Sequence, residues 1–159
     1  MTPLRIVPFP ADVADAARTT MADAWGERVT VWPAAERHVP CRSCMHDTRL
    51  GDDVLLLKFT PFAAASPSPY AERGPIFLCG RACTPFHGEG QLPPIVTSRQ
   101  VNIRAYDKRD FMLYAHSQLA DGREAERIVA RLIEDPEVHQ VHIRTALHGC
   151  FLCAVWRGP

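Results

Sequence analysis

Residues 121–156 read DGREAERIVARLIEDPEVHQVHIRTALHGCFLCAVW, and the change of period within them sets the fold class. Asp121 with Glu124 three residues later is a capping box, which predicts a helix starting there. Ile128, Val129, Leu132 and Ile133 give that helix one apolar face, and Pro136 stops it. Val138 to Leu147 and Cys150 to Trp156 then read as two strands, with His148-Gly149 as a two-residue hairpin turn. Upstream, Val101 to Tyr106 and Phe111 to Leu119 alternate like strands around a turn at Asp107 to Asp110. The order strand, strand, helix, strand, strand predicts an α+β fold: a mostly antiparallel sheet with one or two helices on one face.

Towards the N-terminus the elements are shorter. Leu4 to Val7 reads as a strand closed by Pro8 and Pro10, and Asp12 to Trp25 as a weak amphipathic helix ended by Gly26. Arg28 to Trp32 reads as another short strand, and Pro33 to Cys44 is turn-rich. After the Gly51-Asp52 turn, Val54 to Phe59 is a buried strand, and Ile76 to Leu78 a further one. Between them, Pro61 to Gly74 is a long proline-rich loop, of the kind that often carries function. Thr84 to Pro94 is irregular. The organisation expected is a single domain over 1–159. Residues 35–90 form its Cys-rich knuckle and proline loop, and 100–157 its strand-strand-helix-strand-strand unit.

Composition narrows the classes. At 159 residues the chain buries roughly 70% of its unfolded surface and needs no disulfides to hold a core. Apolar residues at 47% and charged residues at 23% exclude disorder, collagen and coiled coil. Eighteen basic against eighteen acidic residues leave no net charge, which argues against a dedicated nucleic-acid or anionic-membrane binder. No basic n-region precedes an apolar run near the N-terminus, and no apolar run is long enough to span a membrane. The expected location is the cytoplasm, where close cysteine pairs read as metal ligands or redox thiols.

The six cysteines come as Cys41-x2-Cys44, Cys79-x3-Cys83 and Cys150-x2-Cys153. Two close pairs separated by a hairpin are what a tetrahedral zinc site requires, with Zn–S distances of about 2.3 Å. Cys41 and Cys44 precede a strand, Cys79 and Cys83 follow one, and a hairpin between them brings the two turns together. The segment 41–86 resembles zinc modules of the treble-clef type, with Phe77-Leu78-Cys79 and Cys83-Thr84-Pro85-Phe86 around the second pair. It departs from them in having no glycine after Cys44, and in Pro85, which opposes a helix there unless it lies in the first turn. Cys41, Cys44, Cys79 and Cys83 are thus the candidate ligands of a structural zinc, with redox thiols or packed core cysteines as the other readings. His46 and His87 lie near enough in sequence to replace a ligand. Cys150 and Cys153 project from opposite faces of one strand, so they read as core residues unless a bulge intervenes.

A second constellation lies on the strands. Arg104 and Tyr106 share one strand face, and His142 and Arg144 share another. If the strands are neighbours, the four line a patch able to hold a small anion; the plainer reading is a solvated sheet face. Tyr70 and Glu72 of the proline loop could close over such a patch. There is no phosphate-binding glycine loop, no G-x-S-x-G and no H-E-x-x-H.

Several phrases occur together: Val39-Pro40-Cys41-Arg42, Gly51-Asp52-Asp53-Val54-Leu55-Leu56-Leu57, Pro69-Tyr70-Ala71-Glu72-Arg73-Gly74-Pro75-Ile76-Phe77, Ile103-Arg104-Ala105-Tyr106-Asp107, Val141-His142-Ile143-Arg144 and Gly149-Cys150-Phe151. In this order the chain resembles the family known as domain of unknown function 1203. The resemblance implies a small single-domain protein, mostly bacterial in its distribution, and names no reaction. It also implies that Cys41 and Cys150 stand at positions where cysteine is typical. Cys44, Cys79 and Cys83 then mark a cysteine-richer branch in which the position of Cys79 also takes histidine.

Together these readings predict a zinc-stabilised binding module for a small anionic ligand or a protein partner. The alternatives are an enzyme with His142 or Tyr106 as acid/base and a thiol redox protein using Cys150.

Overall fold

Fourteen prolines and nine glycines cut the chain into short elements. The computed structural model describes residues 4–32, 38–88 and 90–157. In chain order the elements are β1 (Leu4–Val7), α1 (Ala11–Thr20), β2 (Thr30–Trp32), β3 (Val54–Phe59), β4 (Gly74–Cys79), α2 (Pro94–Thr97), β5 (Gln100–Tyr106), β6 (Gln118–Asp121), α3 (Gly122–Glu134), β7 (Gln140–Thr145) and β8 (Phe151–Arg157). The fold is α+β, and its strands divide between two antiparallel sheets in two compact units.

The first unit takes in β1, residues 60–72 and the chain from His87 onward. Its five-stranded sheet has the order β1-β8-β7-β5-β6. Val101, Ile103, Ala105, Val141 and Ile143 alternate onto one face of its centre and are fully buried. Helix α3 packs on these strands through the buried Ala125, Val129, Leu132 and Ile133. Each such large apolar side chain contributes roughly 1.5–3 kcal/mol. Asp121 caps α3 by accepting from the Arg123 N–H at 2.9 Å, whereas the Glu124 carboxylate goes to Arg127. Gly122 opens the helix because nothing larger fits: an added Cβ would lie 2.0 Å from the Val96 carbonyl oxygen.

Two expectations fail in this unit. Phe111 to Leu119 is not a strand. Asp107 takes the Arg109 and Phe111 N–H groups at 2.8 and 3.0 Å, and Asp110 turns through φ 62°. The chain then makes a 3₁₀ turn over Tyr114–His116 before the short β6. Nor is the last hairpin a two-residue one. Strand β7 ends at Thr145, which closes a longer loop by accepting from Gly149 and donating to the Cys150 carbonyl, each at 2.9 Å. The β7–β8 ladder also slips in register between Ile143 and Arg144.

The second unit holds α1, the sheet β2-β3-β4 and both cysteine turns. Strand β3 spans the predicted residues, and Val54, Leu55 and Leu57 are buried in it. Helix α1 stops at Thr20 rather than Trp25. The Thr19 and Thr20 hydroxyls bond back to the Asp15 and Ala16 carbonyls, and Met21 takes the left-handed conformation at φ 56°. Asp23 then gathers the Trp25 and Glu27 N–H groups into a turn. Of the turn-rich segment predicted from Pro33 to Cys44, and of the knuckle predicted from residue 35, residues 33–37 lie outside the described residues. Among the described residues, no helix is long and apolar enough to cross a membrane.

Candidate functional site

The first cysteine pair sits in a tight turn. Cys41 N–H donates to the His46 carbonyl at 2.9 Å, Met45 N–H to the Cys41 carbonyl at 3.0 Å, and Arg42 N–H to Phe77 of β4 at 3.1 Å. Met45 has φ 59° at the position where glycine is missing from the motif. A left-handed non-glycine residue costs about 1–2 kcal/mol, and the fully buried Met45 side chain offsets it through packing. The second pair starts at the end of β4. Gly80 N–H bonds the Asp53 carbonyl at 2.9 Å, and a Cβ at Gly80 would meet that oxygen at 2.8 Å. Phe86 N–H returns to the Ser43 carbonyl at 2.9 Å and ties the two turns together. Consistent with Pro85, residues 83–88 form no helix.

These turns bring Cys41, Cys44, Cys79 and Cys83 into one group whose sulfurs all lie within 4.8 Å of one another. Cys41 and Cys83 Sγ are 3.9 Å apart, far beyond the roughly 2.05 Å of a disulfide. Four sulfurs at about 2.3 Å from a central ion stand about 3.8 Å apart, so the group is sized for a tetrahedral metal. Cys41 is fully buried and accepts the Cys79 N–H at 3.3 Å. Hydrogen bonds from the Cys44 and Cys79 thiols hold its pKa far below that of a free thiol. In return, sharing with the Cys41 thiolate pushes Cys44 up to about 11 and raises Cys79 strongly. Arg18 of α1 donates from Nη2 to Cys83 Sγ at 3.3 Å and from Nε to the Cys79 carbonyl at 3.1 Å. His46 bonds the Cys44 carbonyl through Nδ1 at 2.8 Å and contributes no ligand, and His87 belongs to the other unit. Cys153 is fully buried, and the Cys150 thiol faces the His148 carbonyl at 3.9 Å. Although the β8 ladder is irregular, neither cysteine joins a metal-holding group among the described residues.

The second constellation lies in the first unit. Strands β5 and β7 are neighbours, with Arg104 opposite His142 and Tyr106 opposite Gln140. Arg104, Tyr106, His142 and Arg144 therefore share the sheet face opposite α3. Three of the four are shut off from solvent, Tyr106, His142 and Arg144 being 1%, 0% and 3% exposed, while Arg104 is partly exposed. The proline segment lies over it. Phe62 packs on the Tyr106 and His142 rings at 5.1 and 4.7 Å, and Tyr70 meets Tyr106 at 6.4 Å. Glu72 Oε1 accepts from Arg144 Nη1 at 2.8 Å and lies 3.9 Å from Arg104 Nη1.

Hydrogen bonds fix the state of the imidazole. Asp110, already taking the Ser66 hydroxyl at 2.6 Å, accepts the Gln140 amide nitrogen at 2.7 Å. The Gln140 amide oxygen therefore accepts His142 Nε2–H at 3.1 Å. His142 Nδ1 is left as a buried lone pair without a partner. Burial, then the charges of Arg144 and Arg104, hold the imidazole pKa down at about 3. Arg144 Nε and Nη2 are likewise buried and unpaired. Of these residues, sequence reasoning missed Gln140, Asp110, Phe62 and Arg18. Gln140 was within its reach, being two residues before His142 on the same strand.

Neither curated proteins nor solved structures give a match to this chain. The family model described as protein of unknown function (DUF1203) matches residues 38–157, a span holding all four clustered cysteines and both strands of the arginine-histidine face. The chain belongs to the DUF1203 family.

Proposed function

We propose that this protein is a zinc-stabilised binding module for a small anionic ligand, held at Arg104, Tyr106, His142 and Arg144. The zinc reading rests on the donor set. Four thiolates at tetrahedral spacing suit a soft divalent ion and leave no position for an activated water, so the metal is structural. Six cysteines without a disulfide suit a reducing compartment such as the cytoplasm. The observation that carries the anion reading is Arg144, whose side chain is 4% exposed with Nε and Nη2 unsatisfied. A buried donor without an acceptor costs about 1–3 kcal/mol, and more when charged. A bound anion removes that cost.

Elemental analysis of untagged protein, purified without chelator under reducing conditions, tests the metal. About one zinc per chain is expected, lost in Cys79→Ser and Cys83→Ser; absence of metal from the parent protein overturns it. A calorimetric screen of small carboxylates and phosphate tests the ligand. Binding abolished by Arg144→Lys supports the anion reading, and no binding sinks it.

One observation favours a second reading, an enzyme on the same face: Tyr106 and the neutral His142 ring, 4.6 Å apart, stand beside two arginines able to orient an anionic substrate. Chemical conversion of a bound anion, lost in a folded His142→Phe protein, would support it. An anion released unchanged supports the binding module.

A further inference from the structure

The unpaired atoms on this face describe the chemistry of what would pair with them. Arg144 spends Nη1 on Glu72 at 2.8 Å and on the Gly149 carbonyl at 3.1 Å. Its Nε and Nη2, the side-on fork of the guanidinium, are buried without acceptors. Such a fork matches two oxygens of one carboxylate or phosphate group. Two residues along the same strand face, His142 Nδ1 is a buried acceptor without a donor, because Gln140 and Asp110 lock the proton on Nε2. The missing partner thus offers acceptors at one end and a donor at the other.

We propose that the ligand is a small oxyanion that also carries a hydroxyl, an α-hydroxycarboxylate or hydrogen phosphate, with two oxygens on Arg144 Nε and Nη2 and the hydroxyl donating to His142 Nδ1. This rests on the anion-site reading above and adds the ligand class. Side chains two apart on a strand are about 7 Å apart at the backbone, a span that two hydrogen bonds of about 2.8 Å bridge with only a few atoms between them. Charge agrees with a small anion: Arg104 and Arg144 against Glu72 leave one positive charge at the fork end of the face. The rings of Phe62, Tyr106 and Phe151 pack around His142 at 4.7, 4.6 and 5.6 Å, so only a small ligand suits the position. Glu72, with a side chain 56% exposed, is the solvent-facing member of the group, while that of Arg144 is 4% exposed.

The test is calorimetry with glycolate, inorganic phosphate and acetate at neutral pH. Glycolate or phosphate is expected to bind at least tenfold more tightly than acetate, and which of the two binds identifies the anion. In His142→Phe the advantage over acetate should vanish while acetate still binds. If that variant does not fold, the His142 ring nitrogen resonances of the unaltered chain give the same answer: they move with the hydroxylated anion and not with acetate. Acetate binding as tightly as both hydroxylated anions overturns the hydroxyl pairing and leaves the anion site standing. No binding by any of the three overturns both.

Discussion

Arg18 Nη2 donates to Cys83 Sγ across 3.3 Å from a side chain that is only 10% exposed. Its Nε holds the Cys79 carbonyl, so one guanidinium from α1 fixes the second cysteine turn at two points. Four thiolates around a divalent ion carry a net charge of −2, and a nearly buried cation in contact with one sulfur offsets part of it, while its Nη1 pairs with the exposed Asp15 carboxylate at 3.1 Å. Groups of this kind around a metal site typically contribute 10–100-fold to affinity. Arg18→Ala is therefore expected to release zinc at least tenfold more readily to a chromogenic chelator. Arg18→Lys should recover part of the loss, keeping the charge but not the two-point grip. Equal release from all three proteins would show that the guanidinium serves packing alone.

Metal removal should loosen the cysteine turns first. The Phe86–Ser43 and Arg42–Phe77 backbone bonds and the Cys79 N–H bond to Cys41 Sγ join the two turns, and the four sulfurs cluster between them. Structural zinc contributes directly to folding stability. Treatment with a strong chelator is expected to lower the melting temperature and to direct limited proteolysis to residues 39–86. An unchanged melting curve after complete zinc loss would show that the turns are held without it.

The elements that sequence reasoning found were those fixed by local pattern. The Asp121 cap, the apolar row Val129, Leu132 and Ile133, and Pro136 bound α3 within the chain itself, and Val54 to Phe59 carries its burial in its composition. Where a side chain competed with the ladder, the pattern misled. Asp107 and Asp110 bend the chain where the alternation of Phe111 to Leu119 predicts a strand, and the Thr19 and Thr20 hydroxyls help end α1 early. The cysteine cluster was legible because ligand spacing is local on each side of a hairpin. The partner of its charge was not: Arg18 lies 65 residues from Cys83, and nothing in its neighbours marks it. On the strand face, alternation placed His142 with Arg144. That the proline segment would cover the face, and so turn a solvated patch into a buried one, depended on Phe62 and Tyr70 packing across the fold.

His142 makes stability depend on pH. Its folded pKa of about 3 lies below the ordinary 6.5, because burial and the charges of Arg144 and Arg104 disfavour the imidazolium. Between those values the unfolded chain binds the extra proton, so stability rises with pH there. The contribution is complete above about pH 6.5 and is lost progressively towards pH 3, at most about 5 kcal/mol over the window. The other charged or titratable groups around the ring are Glu72 on the two arginines, Tyr106 at 4.6 Å and Asp110 through Gln140. Urea titrations at pH 7 and pH 5 should show the loss, and His142→Phe should flatten it. An equal slope in the variant would assign acid sensitivity to other groups.

Glu72 is the chain's own carboxylate on the proposed anion site, bonded to Arg144 Nη1 and facing Arg104. It repels an incoming anion while leaving the Arg144 fork unfilled, and although its own side chain is half exposed, it is the carboxylate on a buried guanidinium, so removing its charge leaves Arg144 uncompensated until an anion binds. Two like charges held near one guanidinium at an effective dielectric of about 20 cost on the order of a few kcal/mol before screening. Glu72→Gln keeps the shape and one acceptor oxygen and removes the repulsion. The variant should bind phosphate or glycolate about tenfold more tightly than the parent, with the difference shrinking as salt is raised, and its melting temperature should fall without anion and recover when anion is added, because the buried Arg144 loses its carboxylate partner. Weaker binding in the glutamine variant would instead make Glu72 the clamp that orients Arg144, and the fork would then need the carboxylate in place before it can take a ligand.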